Sequence, residues 1–313
     1  MQRREWDRFR RFAAPTALML VLGGCSDTDS PAVDDGGFTR DGATATGCTG
    51  SGCRDFVINR LLLPTATARY AIDLTGDGKI DNEFQTSLSF VQSLSDDQFQ
   101  TTIDESVLEG DTLVALRLRA SDFANATSAK AQLWLAADQT CCQSQDLTAC
   151  GIEASASCFS GTHTFAPAAN SPTDMLFNGK ITGGAFALGP ATLQIELTMA
   201  DTIRPILTIE QAQVRGTLSG TTITSGIIAG AFNLDQLLQV AVDLGNATLA
   251  EKPNGSSAAT IRSTFGLAAG AQLTLAGVRN NDLIKALFKA DLPNNRMSIG
   301  LGFTAVAAKI DAQ

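Results

Sequence analysis

The chain has 313 residues, of which 44% are hydrophobic and 18% charged, a balance that argues against an intrinsically disordered protein. Its formal net charge is −9, which argues against nucleic acid or an anionic membrane surface as an electrostatic partner. The length is sufficient for one large domain or two modest ones.

The N-terminus has the layout of a secretory signal. Five arginines lie among the first eleven residues, and they are followed by the short apolar run 12–22 and by Leu22-Gly-Gly-Cys25. The apolar run is too short to span a membrane, and a cysteine at the cut site is typical of a lipobox. The sequence therefore predicts a lipoprotein signal peptide over residues 1–24. An ordinary signal peptide with a coincidental cysteine is the alternative.

The pattern resembles that of bacterial lipoproteins, and the resemblance implies that Cys25 is lipidated and becomes the first residue. Several acyl chains would anchor the chain firmly to a membrane. Ser26 follows the cysteine in place of Asp, which in Gram-negative lipoproteins favours the outer membrane. We therefore expect the bacterial cell envelope, on its periplasmic or surface face, with residues 25–50 as the lipidated cysteine and a flexible tether.

The other six cysteines are an even number, which in an exported chain indicates three disulfides. The simplest local pairing joins Cys48 to Cys53, and the rest would pair among themselves without a connectivity that the sequence can choose. A four-cysteine zinc site is the alternative for this second group, but paired C-x2-C knuckles are lacking. The second group consists of Cys141, Cys142, Cys150 and Cys158.

A candidate metal loop runs from Asp73 to Phe84. A hard cation needs alternating oxygen ligands, and this segment supplies them at positions 1, 3, 5 and 9 of a twelve-residue loop. Gly78 stands at the sharp turn of position 6, and position 7 adds a backbone carbonyl. A turn without a metal is the alternative. The candidate calcium ligands are Asp73, Thr75, Asp77, Asp81, the carbonyl of Lys79, and Glu83 as a closing group.

The segment resembles the calcium loops of EF-hands, dockerins and thrombospondin type 3 repeats. It departs from the EF-hand at position 12, where Phe84 replaces the bidentate Glu, and at position 3, where Thr75 replaces Asp or Asn. Glu83 lies one residue early. Loop and anchor together resemble those of bacterial surface lipoproteins without an assigned activity, in the apolar stretch 56–64 that leads into the loop and in the C-terminal stretch 298–306. The departures favour the weak affinity of extracellular modules, with a Kd of about 10⁻⁴ to 10⁻³ M.

Helical spacing of apolar residues follows the loop. The pattern predicts one helix from Phe84 and a second with Phe99, Ile103 and Val107 on its buried face, ended by Gly110. Residues 51–110 are therefore predicted to form a small helical module that contains the calcium loop.

From Thr112 the apolar residues recur with the period of two that is typical of half-buried strands. The alternation is seen at 116–119, 132–135, 192–199, 212–218 and 299–303, and helices are predicted at 234–244 and 282–292. We expect an α+β chain that is mainly β, with residues 111–313 forming an antiparallel β-sandwich or a partly open barrel.

Catalytic motifs are scarce. His163 is the one histidine, and no Gly-x-Ser-x-Gly elbow, His-Glu-x-x-His pair or phosphate-binding loop accompanies it. Trp134 is one of the few side chains that could stack on a sugar. The sequence favours a non-enzymatic binding or structural protein with a structural calcium, whose partner would be a surface protein or polymer. The alternatives are a calcium-dependent hydrolase of an extracellular polymer, working through paired carboxylates, and a carrier of an apolar ligand.

Overall fold

The computed structural model describes Cys48 and residues 50–93, 99–137, 158–197 and 203–311. The predicted signal peptide, Cys25 and nearly all of the predicted tether lie outside the described residues, as do Cys141, Cys142 and Cys150.

Ten strands and six helices are described in chain order. The strands are β1 (Cys53–Leu62), β2 (Val114–Ala120), β3 (Asn125–Ala137), β4 (Thr164–Pro167), β5 (Leu176–Thr182), β6 (Ala185–Glu196), β7 (Ile206–Ser219), β8 (Thr222–Asn233), β9 (Arg296–Ala307) and β10 (Lys309–Ile310). The helices are α1 (Phe84–Ser93), α2 (Phe99–Leu108), α3 (Leu234–Glu251), α4 (Ser256–Phe265), α5 (Leu275–Asn280) and α6 (Asp282–Leu287). None of these helices is long and apolar enough to cross a membrane.

Eight of the strands form a closed antiparallel barrel. Each barrel strand pairs with the next one along the chain, with β3 pairing to β5, and β9 returns to pair with β1. Closure leaves these strands without a free edge. The prediction of a mainly β, antiparallel chain is confirmed. The prediction of a sandwich is wrong, and the barrel is closed where a partly open one was expected. A sandwich, a partly open barrel and a closed barrel all show the same alternation of apolar and polar residues, so this pattern could not distinguish them.

The barrel interior is filled by large apolar side chains. Alternate residues of the strands face inward, and they belong to one core cluster with the helices. Gly216 leaves room for the Phe186 ring, whose Cζ would lie 2.6 Å from a Cβ at that position. The fully buried phenylalanines of the barrel strands are Phe56, Phe177, Phe186, Phe232 and Phe303.

The two ends of the barrel differ. An up-and-down meander places alternate connections at opposite ends. The turns at 121–124, 183–184 and 220–221 therefore meet at one end, which we name the turn end. The longer connections meet at the other, the helix end, where α1 and α2 join β1 to β2 and where α3 to α6 join β8 to β9.

The predicted separate helical module over residues 51–110 is not seen. Its first segment is the barrel strand β1, which lies between β2 and β9. Helices α1 and α2 form where the spacing predicted them, but their buried residues belong to the barrel's own core cluster, and the Phe84 ring contacts that of Phe232 at 5.9 Å. The physical reason is that a ten-residue helix cannot bury its apolar face alone.

A second apolar cluster lies on the outer face of β1, β2 and β3. It is covered by β4 and β10, which pair with each other in parallel. We name it the outer cluster, and it contains Val57, Leu113, Ala115, Trp134, Ala136, Cys158, Phe165 and Ile310.

A buried ion pair lies beside the outer cluster. Arg117 donates from Nε to Asp55 Oδ1 at 2.7 Å and from Nη2 to Asp55 Oδ2 at 3.0 Å. The same Nη2 donates to the Ile310 carbonyl, and the Ile310 N–H donates to Asp55 Oδ2. The side chains of Arg117 and Asp55 are only 3% and 2% exposed. The pair therefore joins β1, β2 and the C-terminal β10.

Replacing Arg117 by Ala should destabilise the fold by about 3–5 kcal/mol, because it leaves the Asp55 carboxylate buried without its cation. Urea unfolding of the purified protein measures the loss. The matched control is Arg204→Ala, which breaks an Arg–Asp pair that also has a 2.7 Å contact but is about one-third exposed. The control should cost at most about 1 kcal/mol. Equal losses in the two variants would contradict a special role for the buried pair.

Candidate metal centre

The candidate calcium loop is a closed chain reversal. Ile72 and Asp81 face each other in an antiparallel bridge, and the Asp81 N–H donates to the Ile72 carbonyl at 2.8 Å. Between them the chain turns at Gly76 and Gly78, whose φ angles of 77° and 84° disfavour residues with a Cβ. Gly78 therefore makes the turn as predicted, and Gly76 contributes a second positive φ that was not predicted.

Asp73 organises the loop as its first ligand position should. Its Oδ1 accepts from the Gly76 N–H at 2.6 Å, and its Oδ2 accepts from the Gly78 N–H at 2.8 Å. The hydrogen bond from Gly78 is the largest of the effects that lower the pKa of the Asp73 carboxyl below its usual value. The group is therefore held as a carboxylate, the form that binds a cation.

Three of the predicted ligands converge. The Thr75 hydroxyl lies 3.5 Å from both Asp73 Oδ1 and Asp81 Oδ2. Asp81 Oδ2 also accepts from the Leu74 N–H at 2.7 Å. Asp77 Oδ1 accepts from the Lys79 N–H at 2.9 Å. Within the described part of the chain, the three loop carboxylates do not all lie within 4.8 Å of one another. The donor set thus fits a hard cation in type and order, but the carboxylates must move closer together to ligate one.

Glu83 lies in a different environment from the other candidate ligands. Its N–H donates to Ser298 Oγ at 2.8 Å, and the Asp291 carboxylate accepts from that same hydroxyl. Burial, followed by repulsion from Asp291, raises the pKa of Glu83, and the nearby Lys289 and Arg69 oppose the rise. Its backbone N–H, at least, is committed to the start of β9 and not to the loop.

The loop is seated on the outer face of β9. Asn82 is 2% exposed, and its Nδ2 donates to the Gly300 carbonyl at 3.1 Å and to the Arg69 carbonyl. The Tyr70 backbone occupies the place of a Cβ at Gly300, and the Tyr70 ring occupies that at Gly302. Two glycines in a strand thus mark a close approach of another chain segment. The loop and the barrel wall are therefore packed together.

A second group of candidate ligands does not make a metal centre. Ligand atoms of Cys48, Cys53 and Asp55 lie within 4.8 Å of one another. The two cysteines, however, are joined in a disulfide with their Cα atoms 5.3 Å apart, in the local pairing that the sequence favoured. Disulfide sulfurs are not the thiolates that bind metals, and the Asp55 carboxylate is already held by Arg117.

The outer cluster accounts for two residues that sequence reasoning had kept as functional candidates. Trp134 is 4% exposed and lies beneath the β4 and β10 layer, so it cannot serve as a sugar platform. The His163 ring contacts the Phe165 ring at 4.9 Å, and the His163 carbonyl accepts from the Lys309 N–H.

Two glutamates have raised pKa values, and the structure does not pair them. Burial is the main cause at Glu196, with Asp111 adding to the rise and Arg204 opposing it. The charged groups that act on Glu83 include none of these residues. The paired acids that a carboxylate hydrolase requires are therefore not formed by these two side chains.

Sequence reasoning missed several residues that position the loop or join β1, β2 and β10. Asp55 and Arg117 stand at outward positions of their strands, and no sequence pattern pairs residues so far apart. Gly300 and Gly302 carried a usable signal, since glycine inside a strand indicates close backbone approach. Tyr70 and Asn82 flank the loop without a motif of their own.

The chain matches no protein-family model, no curated protein and no solved structure. Functional inference therefore depends on the residues themselves.

Replacing Glu196 by Gln should raise the melting temperature at pH 7 and leave it unchanged near pH 4. Because the folded state raises this pKa, folding favours the protonated form. The contribution of the Glu196 carboxyl to the free energy of unfolding is complete below its ordinary pKa of 4.5. This contribution is lost as the pH rises through the higher pKa of the folded state. Thermal melts at both pH values measure the effect. Glu251→Gln, at the exposed end of α3, is the control, and a gain of equal size at both pH values would refute the assignment.

Proposed function

We propose that this chain is an exported, lipid-anchored protein of the bacterial cell envelope, placed in the outer membrane through its N-terminal lipid. Its barrel would be a rigid, non-enzymatic scaffold for a surface protein or polymer, stabilised by one structural calcium. The observation that carries the proposal is the loop geometry, in which Asp73 accepts two backbone N–H groups and Asp73, Thr75 and Asp81 converge.

The calcium would be held by Asp73, Thr75, Asp77, Asp81 and the Lys79 carbonyl, with Glu83 as the candidate closing group. When bound, the ion supplies positive charge that offsets the loop carboxylates. Because Asn82 follows directly and holds the Gly300 carbonyl, ordering the loop would also strengthen its attachment to β9. A structural role is favoured because the loop packs on the wall of β9.

Export is supported by the Cys48–Cys53 disulfide, since such bonds persist mainly in oxidising compartments. This bond lies where the predicted tether reaches the barrel, and the Cys48 sulfur is 3.0 Å from Asp55 Oδ1. The disulfide therefore fixes the start of the folded part beside the buried ion pair.

The two alternative functions have less support. A carrier of an apolar ligand needs a lined cavity, and the interior of this barrel is filled by phenylalanine, leucine and isoleucine. A hydrolase with two carboxylates needs its acids together. Glu83 and Glu196 have different neighbours, and the acid that does act on Glu83, Asp291, accepts hydrogen bonds from the Ser298 N–H and hydroxyl.

Calcium should bind the purified protein saturably, with a Kd of about 10⁻⁴ to 10⁻³ M, and should raise its melting temperature. At a concentration ten times the Kd, the expected stabilisation is about 1.4 kcal/mol. Isothermal titration calorimetry and thermal melts measure the two effects. Asp73→Ala and Asp77→Ala should each abolish both, and the matched control Asp174→Ala, at an exposed acid outside the loop, should retain them. No binding up to several millimolar would reduce the loop to a turn.

Cys25→Ser should convert a membrane-bound protein into a soluble one, because the thiol that would carry the acyl chains is removed. The measurement is detergent phase partitioning of cells that express the full chain, together with mass spectrometry of the N-terminal peptide. Cys48→Ser serves as the control, since it also removes a cysteine but leaves the lipobox intact. Recovery of the unaltered protein in the aqueous phase would overturn the anchoring proposal.

A further inference from the structure

The turn end of the barrel carries an open depression of about 580 Å³. All three hairpin turns line it, and glycines at 183, 184 and 220 place no side chain over its mouth. Ligand sites occur preferentially in the mouths of barrels, and this volume lies in the range that small molecules occupy. The side chains that line it include Ser51, Arg54, Ser121, Asp122, Phe123 and Leu218.

Among the described residues that line the depression, Arg54 is the one cation. It shares the face of β1 that carries Phe56, so it stands at the mouth of the interior. Its guanidinium lies 4.2 Å from the centroid of the Phe123 ring, and its Nη1 donates to the Gly220 carbonyl at 3.0 Å. Two contacts from two different turns therefore hold this side chain in place.

Arg54 forms no ion pair with any residue that the structure describes. Among the described residues no carboxylate oxygen lies within 4.0 Å of its guanidinium, whereas five other arginines have one. Those five are Arg60, Arg117, Arg204, Arg279 and Arg296. Within the same part of the chain, Gly220 O is the sole hydrogen-bond acceptor of Arg54, so the Nε and Nη2 donors remain available. That edge of a guanidinium matches the two oxygens of a carboxylate.

The surroundings restrict the ligand further. The half-buried Leu218 offers apolar surface in the depression, which suits a ligand with an apolar body, whereas the Phe123 ring is buried beneath the guanidinium. The Asp122 carboxylate also lines the depression and accepts from the Ala124 N–H at 2.8 Å. One cation and one carboxylate line the same depression without forming an ion pair, which favours a ligand with a single negative charge over a phosphate dianion.

From this geometry we infer that the turn-end depression binds a small organic monocarboxylate, with Arg54, supported by the Phe123 ring, holding the carboxylate and Leu218 contacting the apolar body. This site is independent of the calcium loop, which is seated on the outer face of β9. It would give the scaffold a ligand specificity that neither the loop nor the anchor supplies.

The probe is N-acetyl-L-phenylalanine, compared with its methyl ester, in calorimetric titrations of the purified full chain. The acid should bind saturably, and the ester about 10- to 100-fold more weakly, because it loses a charge-assisted hydrogen bond. Arg54→Gln should weaken acid binding by a similar factor. Arg215→Gln, at an exposed arginine on the outside of β7, should leave it unchanged.

Asp122→Asn tests the site without removing its anchor. It should tighten acid binding about two- to five-fold, because an exposed like charge is removed. This variant and the ester comparison keep the test decisive if Arg54→Gln fails to fold, which its circular dichroism would show. Equal binding of acid and ester, unchanged binding by a folded Arg54→Gln variant, or preferential binding of inorganic phosphate would each overturn the assignment.

Discussion

The buried pair of Asp55 and Arg117 is the constraint on which the junction of β1, β2 and β10 depends. Two opposite charges removed from water are tolerated only when their hydrogen-bonding capacity is satisfied. Here β10 supplies the additional hydrogen bonds, because the Ile310 carbonyl accepts from Arg117 and the Ile310 N–H donates to Asp55. Strands β1, β2 and β10 must therefore be in place together for the ion pair to be fully hydrogen-bonded. Strand β10 is thereby joined to the barrel wall, and the Cys48–Cys53 disulfide lies beside the same carboxylate.

The outer cluster gives this ion pair its dry environment. Val57, Ala115 and Trp134 face outward from three neighbouring strands, and such a surface would be exposed if the barrel stood alone. Strands β4 and β10 cover it, and Phe165 and Ile310 fill the space between the layers. The Arg117 guanidinium lies 5.6 Å from the Trp134 ring centroid, so the covering layer, the aromatic ring and the ion pair stabilise one another. The same packing removes Trp134 from any ligand-binding role.

The two proposed sites lie on the outside and at the turn end of a filled barrel. The candidate calcium loop lies on the outer face of β9, where Gly300 and Gly302 allow Tyr70 to pack against the strand. The turn-end depression presents Arg54 on a phenylalanine ring, with hairpin glycines that leave it open. Both features use the barrel as a rigid support. A filled interior suits that role, because a packed core holds the surface groups in fixed positions.

The sequence alone determined the features that depend on neighbours along the chain. Period-two alternation located β2, β3, β6, β7 and β9, helical spacing located α1 and α2, and ligand order with glycine placement located the loop. The third helix runs further than its pattern indicated, α4 and α5 were missed, and the last helix ends earlier. Tertiary structure alone decided barrel closure, the Asp55–Arg117 pair, the burial of Trp134 and the setting of Arg54. The physical reason is that these depend on pairing between segments far apart in sequence, such as β1 with β9, and local periodicity carries no information about such partners.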